Sequence, residues 1–135
     1  MKELNLEIVT PAKTAFKGTV SSISVPGTSG SFQVLYNHAP ILSSFEIGLI
    51  KIVDLNDSEL IFATSGGTIE VLENKILLLA ESFEKPSDID LERAEKALQR
   101  AKERLSDKSK EVDHTRAEAA LQRAMNRIKV VNKFS

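Results

Sequence analysis

Two nearly identical segments in the last third of the chain decide its fold. They read RAEKALQRAKER at residues 93–104 and RAEAALQRAMNR at residues 116–127, and nine of the twelve aligned positions are identical. Each segment follows an aliphatic residue and an aspartate, Ile89-Asp90 before the first and Val112-Asp113 before the second. The polar stretch SDKSK at residues 106–110 lies between them. We therefore predict two similar helices joined by a short turn.

The spacing of apolar residues supports the helical prediction. In each segment they recur at steps of three and four, as on one face of an α-helix. The two predicted seams are Leu91, Ala94, Leu98, Ala101 and Leu105, and Ala117, Leu121, Ala124, Ile128 and Val131. A short connection makes the helices antiparallel, and Ser87 or Asp88 is expected to cap the first. Because alanine buries little apolar area, we expect a marginally stable appendage that can move.

Arginines repeat with the same spacing beside each seam. They are Arg93, Arg100, Arg104, Arg116, Arg123 and Arg127. Interleaved glutamates allow a solvated face with salt bridges along each helix. The other interpretation is an anion site, in which several guanidinium groups converge on phosphate when the hairpin folds. The residues alone leave both interpretations open.

Charge is divided unevenly along this chain of 135 residues, whose formal net charge is −1. Residues 1–83 carry five Lys/Arg and nine Asp/Glu, a net of −4, and residues 84–135 carry thirteen and ten, a net of +3. The chain has no overall basic footprint and no aromatic residue among the basic ones of the hairpin, so a nucleic-acid-binding hairpin is disfavoured. The absence of cysteine excludes disulfides and thiolate metal sites. Without a visible signal peptide or membrane span, we expect a soluble intracellular protein that reaches a membrane only through a partner.

Residues 1–83 read as a series of short strands. Leu4–Ile8 alternates apolar and polar residues, and Gly48–Val53 and Glu59–Thr64 flank a turn in the manner of a β-hairpin. Thr14–Lys17 is predicted as a short strand that ends in a turn at Gly18. The number and spacing of the strands indicate an antiparallel β-sandwich or flattened barrel.

The strand pattern stops near Glu81, and the composition then changes. We predict a linker at residues 84–87, where Pro86 blocks regular structure, and a helical hairpin at residues 88–135. The predicted class is therefore α+β, with an N-terminal antiparallel sandwich followed by an antiparallel two-helix hairpin.

No catalytic constellation or metal site is predicted. His38 lies in the loop before Pro40, where a structural or interface role is expected, and the spacing of the histidines suits no metal. The turn PGTSG at residues 26–30 lacks the Gly-Lys-Ser/Thr of a phosphate-binding loop. Ser65-Gly66-Gly67 lacks the glycine that precedes the serine of a nucleophile elbow. The sequence predicts a binding or structural role.

Two blocks of sequence resemble the ε subunit of bacterial F-type ATP synthases, particularly its bacillus-type members. The first block is VPGTSGSFQVLYNHAPIL at residues 25–42, with SGGTIEV at residues 65–71; the second is DIDLERA at residues 88–94, with the repeat at residues 116–127 behind it. The resemblance covers the whole chain in order. It implies a ten-stranded sandwich, a regulatory hairpin and a non-catalytic subunit of the central stalk.

The resemblance also implies partners. The sandwich would bind the γ subunit and touch the ring of c subunits in the membrane rotor. The hairpin would either fold against the sandwich or extend along γ toward the α/β catalytic head, restrain ATP hydrolysis and face an acidic segment of the β subunit. The implied ring and stalk contacts are Thr28, Ser29, Gly30, Ser31, His38 and Pro40. The chain would act at the cytoplasmic side of the bacterial plasma membrane, in ATP synthesis coupled to hydrogen-ion transport, with no need to form a homo-oligomer.

Some members of this family bind ATP on the folded hairpin through an Ile/Leu-Asp-x-x-Arg-Ala motif, which IDLERA at residues 89–94 matches. The implied ATP-binding residues are Glu84, Ile89, Asp90, Arg93, Ala94, Arg100, Arg123 and Arg127. ATP would be a regulatory ligand rather than a required cofactor, and it would favour the folded hairpin through its differential affinity. The alternative function is a free-standing ATP sensor, with the sandwich as scaffold.

The ring-facing turn departs from the family pattern at two positions. The family usually has glutamate and glycine where this chain has Ser31 and Gln33. The missing carboxylate alters the chemistry available for ring contact, and the glutamine reduces the flexibility of the turn.

Overall fold

The chain divides into two compact units, residues 1–84 and 85–135. A computed structural model describes residues 2–109 and 112–134. The boundary falls one residue after the predicted end of the sandwich, because Glu84 belongs to the last strand rather than to the linker.

Within the described residues, the first unit contains ten strands arranged in two five-stranded sheets. The strands are β1 (Leu4–Val9), β2 (Thr14–Val20), β3 (Ser22–Val25), β4 (Phe32–Val34), β5 (Ile41–Phe45), β6 (Gly48–Val53), β7 (Glu59–Thr64), β8 (Gly67–Leu72), β9 (Lys75–Ala80) and β10 (Phe83–Glu84). The first sheet has the order β2-β1-β9-β8-β5 and the second β10-β7-β6-β3-β4. Among the described pairings, β1 with β9 is parallel and the others are antiparallel. The predicted sandwich is confirmed.

Alternation along the strands produces the core between the two sheets. In β1, Leu4, Leu6 and Ile8 are at most 2% exposed, and Leu78 in the neighbouring β9 is fully buried. Successive residues of a strand point to opposite faces, so Asn5 between these leucines lies outside. Burying each large aliphatic side chain contributes about 1.5–3 kcal/mol, which makes this interior the main source of the unit's stability.

Two strand boundaries differ from the prediction, and both depend on distant partners. β2 continues through Gly18, which pairs with Leu6 instead of forming a turn. β9 ends at Ala80, as the pattern predicts, but one more strand follows it. In this strand, β10, Phe83 stacks on Phe62 with 4.1 Å between the ring centroids, and the backbone pairs with β7.

The second unit starts with a short 3₁₀-helix, Pro86–Asp88, followed by α1 (Leu91–Ser106) and α2 (His114–Phe134). The helices pack along a seam of buried residues, which are Ala94, Ala101, Ala117, Ala124 and Val130. The predicted hairpin is confirmed, but Val130 rather than Val131 is buried near its end. A strict seven-residue repeat drifts round a straight helix by about 20° per heptad, which accounts for the change. No helix in the described ranges is long and apolar enough to cross a membrane.

Asp90 caps α1, and the predicted caps Ser87 and Asp88 do not. The Asp90 carboxylate oxygen Oδ1 accepts the backbone N–H of Arg93 at 3.1 Å. Ser87 and Asp88 lie instead in the 3₁₀-helix, where Pro86 occupies the first turn. Proline favours the start of a helix, so the chain forms this separate turn before α1 begins.

Candidate functional site

Six arginines lie on one side of the helical hairpin, which we call the arginine face. They are Arg93, Arg100 and Arg104 of α1 and Arg116, Arg123 and Arg127 of α2. Arg93, Arg100 and Arg123 each immediately precede a buried alanine of the seam. Successive residues are about 100° apart round a helix, so these arginines are displaced from the seam in the same sense. In an antiparallel pair, that displacement places both sets on the same side.

The arginine face has three levels along the hairpin. Arg104 and Arg116 lie near the connecting loop, and Arg93 and Arg127 lie toward the opposite end. Arg100 and Arg123 lie between these two levels. Of the six, Arg123 and Arg127 are half-buried and the others are exposed. Cations from two helices therefore share one surface.

Arg93 and Arg100 line an open groove of about 530 Å³ together with Lys96 and Gln99. In the described part of the chain, its lining comes from α1. Lys96 also forms an exposed ion pair with Glu92, 3.1 Å between Nζ and Oε1. Two guanidinium groups and an ammonium around one groove provide charged donors suited to a phosphate group.

The predicted ATP-binding motif forms the start of α1. Asp90 is the cap, Arg93 lies in the first turn, and Ala94 is 4% exposed against α2. Ile89 is half-buried immediately before the cap. Glu84, predicted for the same site, is half-buried in β10 of the sandwich unit. The structure thus brings Arg93 and Arg100 to one groove. The other predicted residues lie elsewhere on the hairpin or, for Glu84, in the sandwich unit.

The second copy of the repeat begins with the same geometry. Asp113 Oδ1 accepts the backbone N–H of Arg116 at 3.0 Å. The backbone N–H of Ala117 donates to the Asp113 carbonyl at 3.0 Å, as that of Ala94 does to Asp90. The two helices therefore start alike, and the second start provides a matched control for the first.

The turn predicted to face the rotor ring is exposed and tight. Residues 28–31 are all exposed, and the Gly30 N–H donates to the Gly27 carbonyl at 3.0 Å. Gly30 has a φ of 122°, which favours glycine. A Cβ at Gly27 would lie 2.6 Å from the Gly30 oxygen and 2.9 Å from the Phe32 ring. The turn therefore presents a compact tip to solvent.

The loop at residues 35–40 connects β4 of the second sheet to β5 of the first. His38 is half-buried, its N–H donates to the Leu35 carbonyl at 3.1 Å, and its Nδ1 lies 2.7 Å from the Ala39 oxygen. Pro40 is exposed at the end of the loop. The imidazole is thus held by the loop itself, and Pro40 is accessible.

The outer side of the first sheet carries apolar side chains that the sequence reasoning missed. We call Leu42, Leu72, Leu77 and Leu79 the leucine face; Leu42, Leu72 and Leu79 are 75%, 49% and 51% exposed, and Leu77 is half-buried. Several large apolar side chains on the outer side of one sheet are a feature of interaction surfaces. The available signal was the run ILLLA at residues 76–80, which is apolar at both alternating sets of positions.

Charged residues lie beside and between the side chains of the leucine face. The cross-strand registers place Lys17, Glu7, Leu77, Glu70 and Leu42 in one row across the first sheet. A groove of about 520 Å³ lies along this row, lined by both signs of charge. A mixture of apolar and charged side chains of this kind is typical of non-obligate protein–protein interfaces.

Comparison with known families identifies both units. The model of the family described as "ATP synthase, Delta/Epsilon chain, beta-sandwich domain" matches residues 3–86, and "ATP synthase, Delta/Epsilon chain, long alpha-helix domain" matches residues 87–132. The chain belongs to the ATP synthase epsilon chain family. The chain is 43% identical to the epsilon chain of Salinibacter ruber over 113 residues, covering 78% of this chain and 76% of the relative. It is 43% identical to that of Pelotomaculum thermopropionicum over 108 residues, covering 80% of each.

Solved structures show the same fold. A chain of the Euglena gracilis mitochondrial ATP synthase, solved with OSCP, F1 and the c-ring, gives a TM-score of 0.82 at 18% identity, covering 93% of this chain and 79% of that one. A chain of the Tetrahymena thermophila central stalk and c-ring gives 0.56 at 14% identity, covering 98% of both. By family, the chain is a non-catalytic subunit of the central stalk of F-type ATP synthase. Among the described residues, no three His, Asp or Glu side chains are grouped so that they could hold a metal ion.

Proposed function

We propose that the chain couples the γ subunit to the membrane rotor ring and regulates ATP hydrolysis through its hairpin, on the cytoplasmic side of the bacterial plasma membrane. The sandwich supplies the docking surfaces. The hairpin exists in a folded form, which ATP favours, and an extended form, which restrains hydrolysis. In the extended form its arginines face an acidic segment of the β subunit in the α/β head.

The arginine face supports the regulatory part of the proposal. The folded hairpin places arginines of both helices on one side, where Arg93 and Arg100 already share a groove. Extension would separate the α1 arginines from Arg123 and Arg127. A polyphosphate held by both helices therefore binds only the folded form, and it shifts the population by that difference in affinity.

The seam explains how the two forms can be close in free energy. Ala94, Ala101, Ala117 and Ala124 are buried between the helices, and a methyl side chain removes little apolar area from water. The free energy gained on closing the hairpin is therefore modest. A ligand that contributes a few charge-assisted hydrogen bonds, about 1.5–3 kcal/mol each, is sufficient to decide the equilibrium.

The leucine face supports docking to γ. Leu42 is the second residue of β5, which begins directly after the loop that carries His38 and Pro40, so the predicted stalk contacts adjoin the leucine face along the chain. The exposed turn at residues 28–31 is the proposed contact with the ring. Ser31 offers it a hydroxyl in place of a carboxylate, so this contact relies on neutral hydrogen bonds.

Calorimetric titration of the whole chain with ATP tests the regulatory proposal. Saturable binding is expected, and Arg93→Ala with Arg123→Ala should weaken it at least about tenfold, since two charge-assisted contacts are lost. The matched control is Arg104→Ala with Arg116→Ala, which removes the same charge from the same helices outside the predicted site. Equal losses in both double variants would show that ATP responds only to net charge. Absence of binding at millimolar ATP would reject the regulatory site.

Affinity for the purified γ subunit tests the docking proposal. Leu42→Asp should weaken binding strongly, because it replaces the most exposed side chain of the leucine face with a charge that the contact would have to bury. Leu55→Asp is the control, since Leu55 is also exposed, at 40%, but lies in the turn between β6 and β7. Unchanged affinity of the Leu42 variant would remove the leucine face from the γ contact.

A further inference from the structure

Two asparagines hold the loop at residues 35–40 against the opposite sheet. Asn74 Oδ1 accepts the backbone N–H of Asn37 at 2.7 Å, and Asn74 Nδ2 donates to Asn37 Oδ1 at 3.3 Å. Asn37 lies in the loop that leaves β4 of the second sheet, and Asn74 lies in the turn between β8 and β9 of the first. The Asn74 side chain therefore ties the loop to a rigid hairpin, and we call this pair of hydrogen bonds the asparagine clasp.

The backbone at both positions does not require an asparagine side chain. Asn37 and Asn74 each have a φ of 63°, and Glu73 beside Asn74 has a φ of 50°. Two successive positive φ values in a two-residue turn define a type I′ hairpin. Glycine adopts this conformation more easily than asparagine. The amide groups therefore contribute the bonds between the two elements rather than the turns themselves.

The clasp fixes apolar side chains in exposed positions beside the leucine face. Leu35 and Tyr36 of the loop are 52% and 39% exposed, and Leu72, two residues before Asn74, is 49% exposed. Within the loop, the described backbone bond is that from the His38 N–H to the Leu35 carbonyl. A surface that is already ordered loses less conformational entropy when a partner binds.

We propose that Asn37 and Asn74 are positioning residues for docking on the γ subunit, an inference that rests on the proposed function. Asn74 holds the loop at residues 35–40 in its binding conformation, so that Leu35 and Tyr36 extend the leucine face. Neither amide needs to touch γ for this effect. The loop docks as a preformed surface and does not have to be ordered by the partner.

Affinity for purified γ, measured together with amide hydrogen exchange in the free chain, tests the proposal. Asn74→Gly keeps the turn and removes both clasp bonds, so binding should weaken about five- to tenfold and exchange at the Asn37 N–H should accelerate. Asn74→Asp keeps the acceptor for that N–H and should retain most of the affinity. Asn37→Gly keeps the hydrogen bond from the backbone N–H of residue 37 to Asn74 Oδ1, so its loss of γ affinity should be intermediate.

Asp57→Gly is the matched control, because Asp57 also has a positive φ, 61°, but lies in the turn between β6 and β7. It should leave γ affinity unchanged. Wild-type affinity in Asn74→Gly, or equal losses in Asn74→Gly and Asn74→Asp, would overturn the positioning role while leaving the proposed function intact. Failure of the wild-type chain to bind γ would reject the proposed function, and the positioning role with it.

Discussion

Replacing Asp90 with alanine should weaken both the hairpin and ATP binding, whereas replacing Asp113 should weaken chiefly the hairpin. The two carboxylates cap their helices alike, with hydrogen bonds of 3.1 Å and 3.0 Å to the third helical N–H. Loss of either cap costs about 1 kcal/mol of helix stability. It lowers the equilibrium constant for hairpin closure by at most about fivefold, a limit that is reached only when the cap exists in the folded form alone. Apparent ATP affinity falls at most by this same factor through closure alone.

The Asp90→Ala substitution should also lower ATP affinity directly, because Asp90, unlike Asp113, belongs to the predicted ATP site. A lost hydrogen bond to the ligand contributes about 1–1.5 kcal/mol, so Asp90→Ala should lose about five- to tenfold in ATP affinity beyond any effect on hairpin closure. Asp90→Ser separates the two effects, since serine also caps a helix. It should restore helix stability but not ATP affinity.

Circular dichroism melting and hydrogen exchange at the Arg93 and Arg116 amides measure the caps, and calorimetry measures ATP binding. We expect the two alanine variants to lose the same amount of helix stability but different amounts of ATP affinity. If Asp113→Ala weakened ATP binding as much as Asp90→Ala, Asp90 would be a helix cap and not a ligand contact.

The remaining predictions concern the sandwich, and chemical denaturation measures all three. Leu78→Ala should cost about 2–5 kcal/mol, because Leu78 is fully buried in the middle of β9; a smaller loss would mean that the core collapses around the gap. Gly67→Ala should cost about 3 kcal/mol, since its Cβ would overlap the Leu79 carbonyl oxygen, and a wild-type midpoint would contradict this packing. Lys51→Ala should cost less than about 0.5 kcal/mol, because its 3.4 Å pair with Glu59 is well exposed, and a loss above 1 kcal/mol would contradict that reasoning.

The hairpin could be predicted from the sequence because its signal is local. Apolar residues at helical spacing occur in two nearly identical segments, and the periodicity within each segment is enough to predict a helix. The position of the cap was wrong by two residues from the nearer prediction, Asp88, since Pro86 starts a separate turn that the periodicity does not reveal.

The details of the sandwich depend on partners far along the chain. Gly18 looks like a turn until Leu6 is placed beside it, and Phe83 lies beyond the predicted end of the strand pattern until Phe62 supplies its stacking partner. Local pattern cannot supply either contact, because strand order and register are not encoded in neighbouring residues.

The leucine face and the asparagine clasp were beyond sequence reasoning for the same reason. The run at residues 76–80 indicates a strand that is apolar on both faces, which is typical of a strand covered on both sides. The exposed fractions of Leu72 and Leu79 show instead that the outer side of this sheet is open to solvent. Asn37 and Asn74 likewise meet only through the arrangement of the two sheets.

The distance between the two helices, measured with and without ATP, tests the central claim most directly. The chain has no cysteine, so Glu95→Cys with Met125→Cys gives two unique, exposed sites for spin labels on a chain bound to γ. In the folded hairpin the helix axes lie about 10 Å apart, whereas one continuous extended helix would separate the sites by about 45 Å, at about 1.5 Å per residue. We expect short distances with ATP and a long population without it, and the long population should persist with ATP in Arg93→Ala with Arg123→Ala. A distance distribution that ATP does not change would contradict the account.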